Sequence, residues 1–330
     1  MDAMKAQALL ASFSIFLLFP NTLTAPAIAS CARCDEVAHG FASLNGGTYG
    51  GRDGTVVTAT TFEQLKEYAG SEEPLIIRVD GALTAEPLGY EVPIKSDKTI
   101  IGVGNTGHIV GGGFNINQEK NIIIRNLEIS DTYIPEDYNG KTEDWDAIQI
   151  DTGSNIWIDH VKLTRMADGL IDSRKDTDYI TVSNSLLSDH NKAFGIGWTD
   201  NVIAKMTIND NFFNSTNQRN PSADNLLHCH MYNNYHLNLT SYGNYARGQT
   251  QLLVENSYFE EVHDPVVAGP DASIRSNLLK FKDCTGETHE SVNPDNVFDA
   301  REFYEYEVKD PYDLPTTIPP FVGPREDIGV

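Results

Sequence analysis

Ser183-Asn184-Ser185-Leu186-Leu187, Asn209-Asp210-Asn211-Phe212-Phe213, Tyr232-Asn233-Asn234-Tyr235-His236 and Glu255-Asn256-Ser257-Tyr258-Phe259 are four versions of one phrase. They recur at roughly 23 to 26 residues, a spacing that signals a solenoid. Superposing them aligns Asn184, Asp210, Asn233 and Asn256 at one position, and Leu186, Phe212, Tyr235 and Tyr258 two positions on. In a coil of parallel strands such positions stack one strand spacing apart. The first column therefore predicts a polar ladder and the second a largely aromatic stack. No coil can bury its face alone, so each depends on its neighbours. Upstream, short β-branched runs broken by Gly, Asn and Asp extend the pattern: Ile76-Ile77-Arg78-Val79, Thr99-Ile100-Ile101, Ile122-Ile123-Ile124, Ile156-Trp157-Ile158 and Ile180-Thr181-Val182. The fold expected is all-β, a right-handed parallel β-helix. A β-sandwich is also built from short strands, but hairpin turn pairs and strict alternation do not dominate here.

Around this repeat the chain organises simply. Lys5, the apolar stretch Ala8 to Phe19 and the small-residue site Ala27-Ile28-Ala29 read as a secretory signal peptide over residues 1–29, cleaved near Ser30. The apolar stretch is short for a membrane span, and no later segment is long enough. Residues 30–330 then form one β-helix domain. Thr61 to Tyr68 looks like a short helix capped by Thr60 or Thr61. Asp131 to Asp144 reads as a loop that interrupts the repeat, and the Pro-rich tail from Asp310 to Val330 either lies along the helix surface or is mobile.

With 24 Lys plus Arg against 47 Asp plus Glu, the chain carries a formal charge of −23. Such acidity argues against nucleic acid and anionic membranes as partners, and it keeps a secreted protein soluble and monomeric. Four cysteines, Cys31, Cys34, Cys229 and Cys284, allow three disulfide pairings in an oxidising compartment. Cys229 lies between two histidines mid-strand and reads as a buried free thiol. Asn214-Ser215-Thr216 and Asn238-Leu239-Thr240 are glycosylation acceptors if the host glycosylates.

Several local motifs resolve to structure. Gly102-Val103-Gly104-Asn105-Thr106-Gly107 has dinucleotide-fingerprint spacing but no helix follows it, so these glycines read as tight turns. His228-Cys229-His230 puts two imidazoles on one strand face without a third ligand, which favours a structural role over zinc. No nucleophile elbow and no phosphate loop occur.

The chemistry-bearing residues form one ordered series: Trp157-Ile158-Asp159-His160, then Asp168-Gly169-Leu170-Ile171-Asp172, Asp189-His190-Asn191-Lys192 and Gln218-Arg219-Asn220-Pro221. Three carboxylates precede a Lys and an Arg, on separate strand-like segments. That order suits a site that holds a hard cation with carboxylates and meets an anionic substrate with fixed positive side chains. Taken singly, each Asp could equally cap a turn. A glycosidase carboxylate pair is the other reading of Asp168 and Asp172.

The series resembles the pectate lyase family. Thr99-Ile100-Ile101-Gly102-Val103-Gly104, Asp146-Ala147-Ile148 and His230-Met231-Tyr232-Asn233-Asn234-Tyr235 add to the likeness, which runs from about Gly40 to Pro265. The β-helical polygalacturonases carry a Gly-His-Gly motif that is missing here, which weakens the hydrolase reading. The resemblance implies a calcium-dependent eliminase acting on 1,4-linked polygalacturonate. By resemblance Asp159, Asp168 and Asp172 hold Ca2+, Lys192 and Arg247 contact the substrate, and Arg219 is the base that removes the C5 proton. Arginine is protonated at ordinary pH, so either neighbouring positive charge depresses its pKa or it stabilises charge while hydroxide takes the proton. Ser222-Ala223-Asp224-Asn225 stands where many family members carry a further Arg. Asp224 there either opposes a substrate carboxylate or orients Arg219 or Arg247. Two rivals remain at this level: a pectin lyase acting on methyl-esterified chains without metal, and a non-catalytic polysaccharide-binding protein on the same scaffold.

Overall fold

The computed structural model describes residues 31–330, and the proposed signal peptide over 1–29 lies outside them. The chain winds as a parallel β-helix with three faces. The first face holds ten parallel strands, from Thr55–Ala59 to Ser273–Asn277, and closes on the short antiparallel strand Ser291–Val292. The second and third faces are joined into one sheet by the long strand Leu186–Gly197, whose first half belongs to one face and second half to the other.

The interior follows from the β-branched runs. Ile100, Ile124, Ile158, Val182, Ile208, Met231 and Val254 stand in register on successive coils of the first face, and all are buried. Each coil adds a layer to one continuous apolar column, so burial accumulates along the axis. Phe213, His236 and Phe259 form a second inner column, with ring centroids 4.8 and 4.5 Å apart and nearly parallel planes.

The aromatic stack expected from the repeat is present. Phe212 and Tyr235 lie 4.9 Å apart with an interplanar angle of 2°, and Tyr258 meets Tyr235 edge-on at 5.7 Å. The stack faces outward and is covered by Leu314 and Ile318 of the tail. The tail thus lies along the helix surface, and its Ile328 packs against Ile76 and Ile101.

The polar column differs from expectation. Asn184, Asp210, Asn233 and Asn256 do not form a side-chain ladder; they are the corner residues that end each strand of the first face, with φ between +42° and +56°. Asn and Asp tolerate this left-handed conformation better than other non-glycine residues, so they recur wherever a coil turns. Asn233 and Asn256 then grip the tail: Asn233 donates to the Glu307 carbonyl and accepts from the Lys309 N–H, and Asn256 donates to the Lys309 carbonyl. The ladder lies one residue further on. Asn211 Oδ1 accepts from the Ser185 N–H at 2.9 Å, and Asn234 Oδ1 accepts from the Asn211 N–H at 3.0 Å. This buried position satisfies backbone donors that the corner would leave unpaired.

The helix Phe62–Ala69 is capped by Thr61, whose Oγ1 accepts from the Gln64 N–H. Of the three possible cysteine pairings, none of which the sequence favoured, the structure has Cys31 joined to Cys34, with Cys229 and Cys284 free. Burial pushes the Cys229 thiol up to about 12. His228 and His230 are structural: His228 packs among Phe41, Phe298 and Phe303, and His230 meets the Tyr304 hydroxyl and the Glu255 carboxylate.

Candidate functional site

The third face carries the site. Its strands place Gln149, Asp172, Gly195, Ser222 and Tyr245 in one register across successive coils. Alternate residues point inward, where Ile148, Ile171, Phe194 and Ala223 are buried. Asp172 therefore faces outward into a groove, and Lys192, which pairs with Gly169, contacts Asp168 there.

Asp144 and Asp146 enter from the end of the 131–144 loop, and one oxygen each of Asp144, Asp146 and Asp168 lies within 4.8 Å of the others. Asp146 is fully buried. Its Oδ1 accepts from the Gly169 N–H at 2.6 Å, and its own N–H donates to Glu91 Oε1 at 2.9 Å. Asp146 Oδ2 is buried without a hydrogen-bond partner. Arg174 donates to Asp144 at 3.0 Å and to Asp151 at 2.8 Å, which anchors the loop end to the strand beneath. Lys192 Nζ contacts Asp168 Oδ1 and donates to the Gly140 carbonyl at 3.2 Å.

Arg219 occupies a left-handed corner, φ +61°, and reaches back over the previous coil to Asp172, with Nη1 3.1 Å from Oδ1. Gly195 makes this reach possible. A Cβ there would stand 2.6 Å from Asp172 Oδ1 and 3.0 Å from Arg219 Nη1, so any side chain would separate the two. The Arg219 guanidinium also lies 5.2 Å from the centroid of the Trp198 ring. Arg219, Trp198, Ser222, Asp224 and Arg247 line a cavity of about 310 Å³.

The electrostatics are those of acids held against their preference. Burial raises Asp172 to about 7; Arg219 draws it down and the Asp168 charge adds to the rise. Asp146 is raised well above the usual carboxylate range, first by burial and then by the Asp172 and Asp168 charges. Crowded carboxylates and an orphaned buried oxygen are an all-oxygen donor set for a hard divalent cation, and calcium fits it. Residues Asp144, Asp146, Asp168 and Asp172 are the ones that could hold it.

This gives a linkage with a definite sign. The folded-state pKa of Asp172 lies above its unfolded value of about 3.9. In the metal-free protein this group costs stability as pH rises from the unfolded value towards about 7, and the cost is constant above that. A cation requires the ionised form, so its binding expels protons below pH 7. Calcium titration calorimetry in buffers of different ionisation heat is expected to show more proton release at pH 6 than at pH 8, the difference being the Asp172 proton; Asp146, which is also raised, contributes to the release that remains. Equal proton release at both would contradict the raised Asp172.

The structure brings Asp168, Asp172, Lys192 and Arg219 together, with Arg247 at the edge of the same groove. It does not bring Asp159 there, and that assignment is corrected. Asp159 ends a strand of the first face, in register with Arg125 and Ser183. Its carboxylate is consumed by Arg125, His160, Ser183 and Asn184 at 2.7 to 2.9 Å, which leaves no oxygen for a metal. The acids missed were Asp144 and Asp146. The repeat itself carried the signal, because a residue facing Gly169 must come about one coil before it, as Asp146 does, and not ten residues before it, as Asp159 does. Asp224 makes no ion pair with Arg219 or Arg247 among the described residues, although it stands in register with Arg247.

Fold and groove together define a β-helical protein with an acidic, cation-ready cluster flanked by fixed positive side chains. The pectate lyase profile matches residues 17–281. The pectate trisaccharide-lyase of Thermotoga maritima is 35% identical over 237 residues, covering 68% of this chain but only 63% of that protein's length. The probable pectate lyase A of Aspergillus flavus is 33% identical over 282 residues, covering 79% of this chain and 84% of that one. The crystal structure of a pectate lyase from Bacillus sp. N165 in complex with trigalacturonate superposes with a TM-score of 0.74 at 27% identity, over 87% of this chain and 98% of that one. The chain belongs to the pectate lyase family.

Proposed function

We propose that this protein is a secreted, monomeric, calcium-dependent lyase that cleaves 1,4-linked polygalacturonate by β-elimination. The observation that carries the reading is the buried, unpartnered Asp146 Oδ2 among crowded carboxylates, with Lys192 on one side and Arg219 on the other. Among the described residues no helix is long and apolar enough to cross a membrane.

Bound calcium supplies a positive charge that draws electron density from the substrate carboxylate and so acidifies the neighbouring C5–H. Lys192 is 5% exposed, too buried to be a solvated surface charge, and it offers a donor to the same carboxylate. Arg219 faces the open cavity on the side of the C5 proton, where it either accepts that proton as a neutral guanidine or, still charged, stabilises the developing anion while hydroxide accepts it. The electron pair of the C5–H bond forms the C4–C5 double bond, the C4–O bond breaks, and the leaving oxygen is protonated by solvent. No water is consumed, so a glycosidase acid/base pair is unnecessary. A net charge of −23 on a protein that binds a polyanion is reconciled locally, because the cation, Lys192, Arg219 and Arg247 offset the groove's carboxylates within an acidic exterior.

The test is ultraviolet absorbance of the conjugated 4,5-unsaturated product from polygalacturonate. Absorbance is expected with calcium, lost with chelator and restored when calcium is returned. Persistence under chelator would favour the metal-free pectin lyase reading, and no product from folded protein on any pectin would favour a binding protein.

A further inference from the structure

Trp198 is the exposed aromatic of the groove, with half its surface open to solvent. It follows Gly197, sits at φ +55°, and lines one cavity with Arg219, Ser222, Asp224 and Arg247. A left-handed backbone disfavours a bulky side chain, so the indole stands there against local backbone preference, with the Arg219 guanidinium beside it. A Cβ on Gly195 would stand 2.6 Å from Trp198 Cη2, so the ring leans back over Gly195, on the strand that carries Lys192.

Asp224 and Arg247 stand side by side on adjacent strands, both facing outward. The Asp224 carboxylate has no hydrogen-bond partner or ion pair among the described residues. It leans towards Gly248, where a Cβ would lie 2.5 Å from its Oδ1. The pair presents one acceptor and one fork of donors with no net charge. Such a pair matches the hydroxyl groups of a sugar, and a free carboxylate placed there would meet Asp224. The indole adds a flat apolar surface suited to the C–H face of a pyranose or to an ester methyl group.

Resting on the lyase reading above, we infer that the subsite formed by Trp198, Asp224 and Arg247 takes a methyl-esterified galacturonate residue in preference to a second free uronate. The residue at the carboxylate cluster must carry its charge; its neighbour over Trp198 must not. The substrate is therefore partially methyl-esterified pectin, in which charged and neutral residues alternate in short runs.

The test compares kcat/KM on polygalacturonate and on pectin of intermediate esterification at fixed calcium. The wild-type protein is expected to favour the esterified polymer by about tenfold. Asp224→Asn should raise use of polygalacturonate and narrow the ratio to about two. Trp198→Ala should lower use of the esterified polymer about tenfold, and Trp198→Tyr, which keeps a flat ring, should recover most of it. Elimination on both polymers without preference, or a preference for polygalacturonate that Asp224→Asn leaves unmoved, overturns the subsite alone. Absence of elimination on every polymer overturns the lyase reading and this inference with it.

Discussion

Arg219→Lys is expected to lower kcat/KM for elimination by about 10³-fold, near the middle of the range for a positioned proton-transfer or charge-stabilising group. Positive charge is retained, so the loss reports geometry. The guanidinium spans from Asp172 to the cavity while lying over Trp198, and it does so because one fork can address two partners at once. An ammonium is a point charge; held by Asp172, it no longer faces the substrate. Calcium affinity, read by calorimetry, should change far less than the rate, because Asp172 keeps a cationic neighbour. The pH profile separates the two possible roles. If the side chain itself accepts the proton, the residual activity of the Lys variant should rise at lower pH than the wild type, since lysine loses its proton about two units or more below arginine. If hydroxide is the base, the two profiles should run parallel. A Lys variant within tenfold of wild-type activity would remove Arg219 from the chemistry altogether.

How far the sequence reaches depends on whether a property repeats. The coil period, the aromatic column from Leu186 to Tyr258 and the inward β-branched residues recur every coil, and each copy reinforces the others. Corner geometry recurs too, yet the column at Asn184, Asp210, Asn233 and Asn256 looks like a ladder from sequence alone. Asn serves equally as a left-handed corner and as a ladder rung, and only the backbone shows that the rung is the next residue. Lys192 and Arg219 were legible because each flanks a distinctive local segment, Asp189-His190-Asn191 or the Asn-Pro pair. Asp144 and Asp146 were harder to place, because the 131–144 loop, which ends on Asp144, breaks the period on their N-terminal side and leaves only the coil that follows to align them. Glu91, which accepts the Asp146 N–H, lies two coils away in the structure and 55 residues away in the chain. Asp159 looked like a ligand because it is an acid in a recognisable phrase. The chain order of acids does not say which face of a solenoid each one occupies.

Two Asp→Asn substitutions separate these faces by opposite effects on stability. Asp146→Asn removes a buried carboxyl that burial and two neighbouring carboxylates oppose, so the metal-free protein should become more stable to urea at pH 8. Its calcium affinity should fall by on the order of 100-fold, at the upper end of what even indirect partners of a metal cost. Asp159→Asn should do the reverse. Burial alone would raise the Asp159 carboxyl, but the hydrogen bond and charge of His160, the Arg125 guanidinium and the Asn184 amide outweigh it and hold it well below the usual carboxylate range. Arg125 is itself buried but keeps Glu36 as a second carboxylate partner, so removing the Asp159 charge is expected to cost about 1–3 kcal/mol. Calcium affinity should be untouched. Because the folded pKa is depressed, the stabilisation from Asp159 is fully present above the unfolded value of about 3.9 and is lost as pH falls through the folded one. The urea midpoints of wild type and Asp159→Asn should therefore differ most at neutral pH, and the gap should begin to close below about pH 4 and keep narrowing with further acidification. Loss of calcium binding in Asp159→Asn with unchanged stability would return that residue to the metal site and undo the assignment of Asp144 and Asp146.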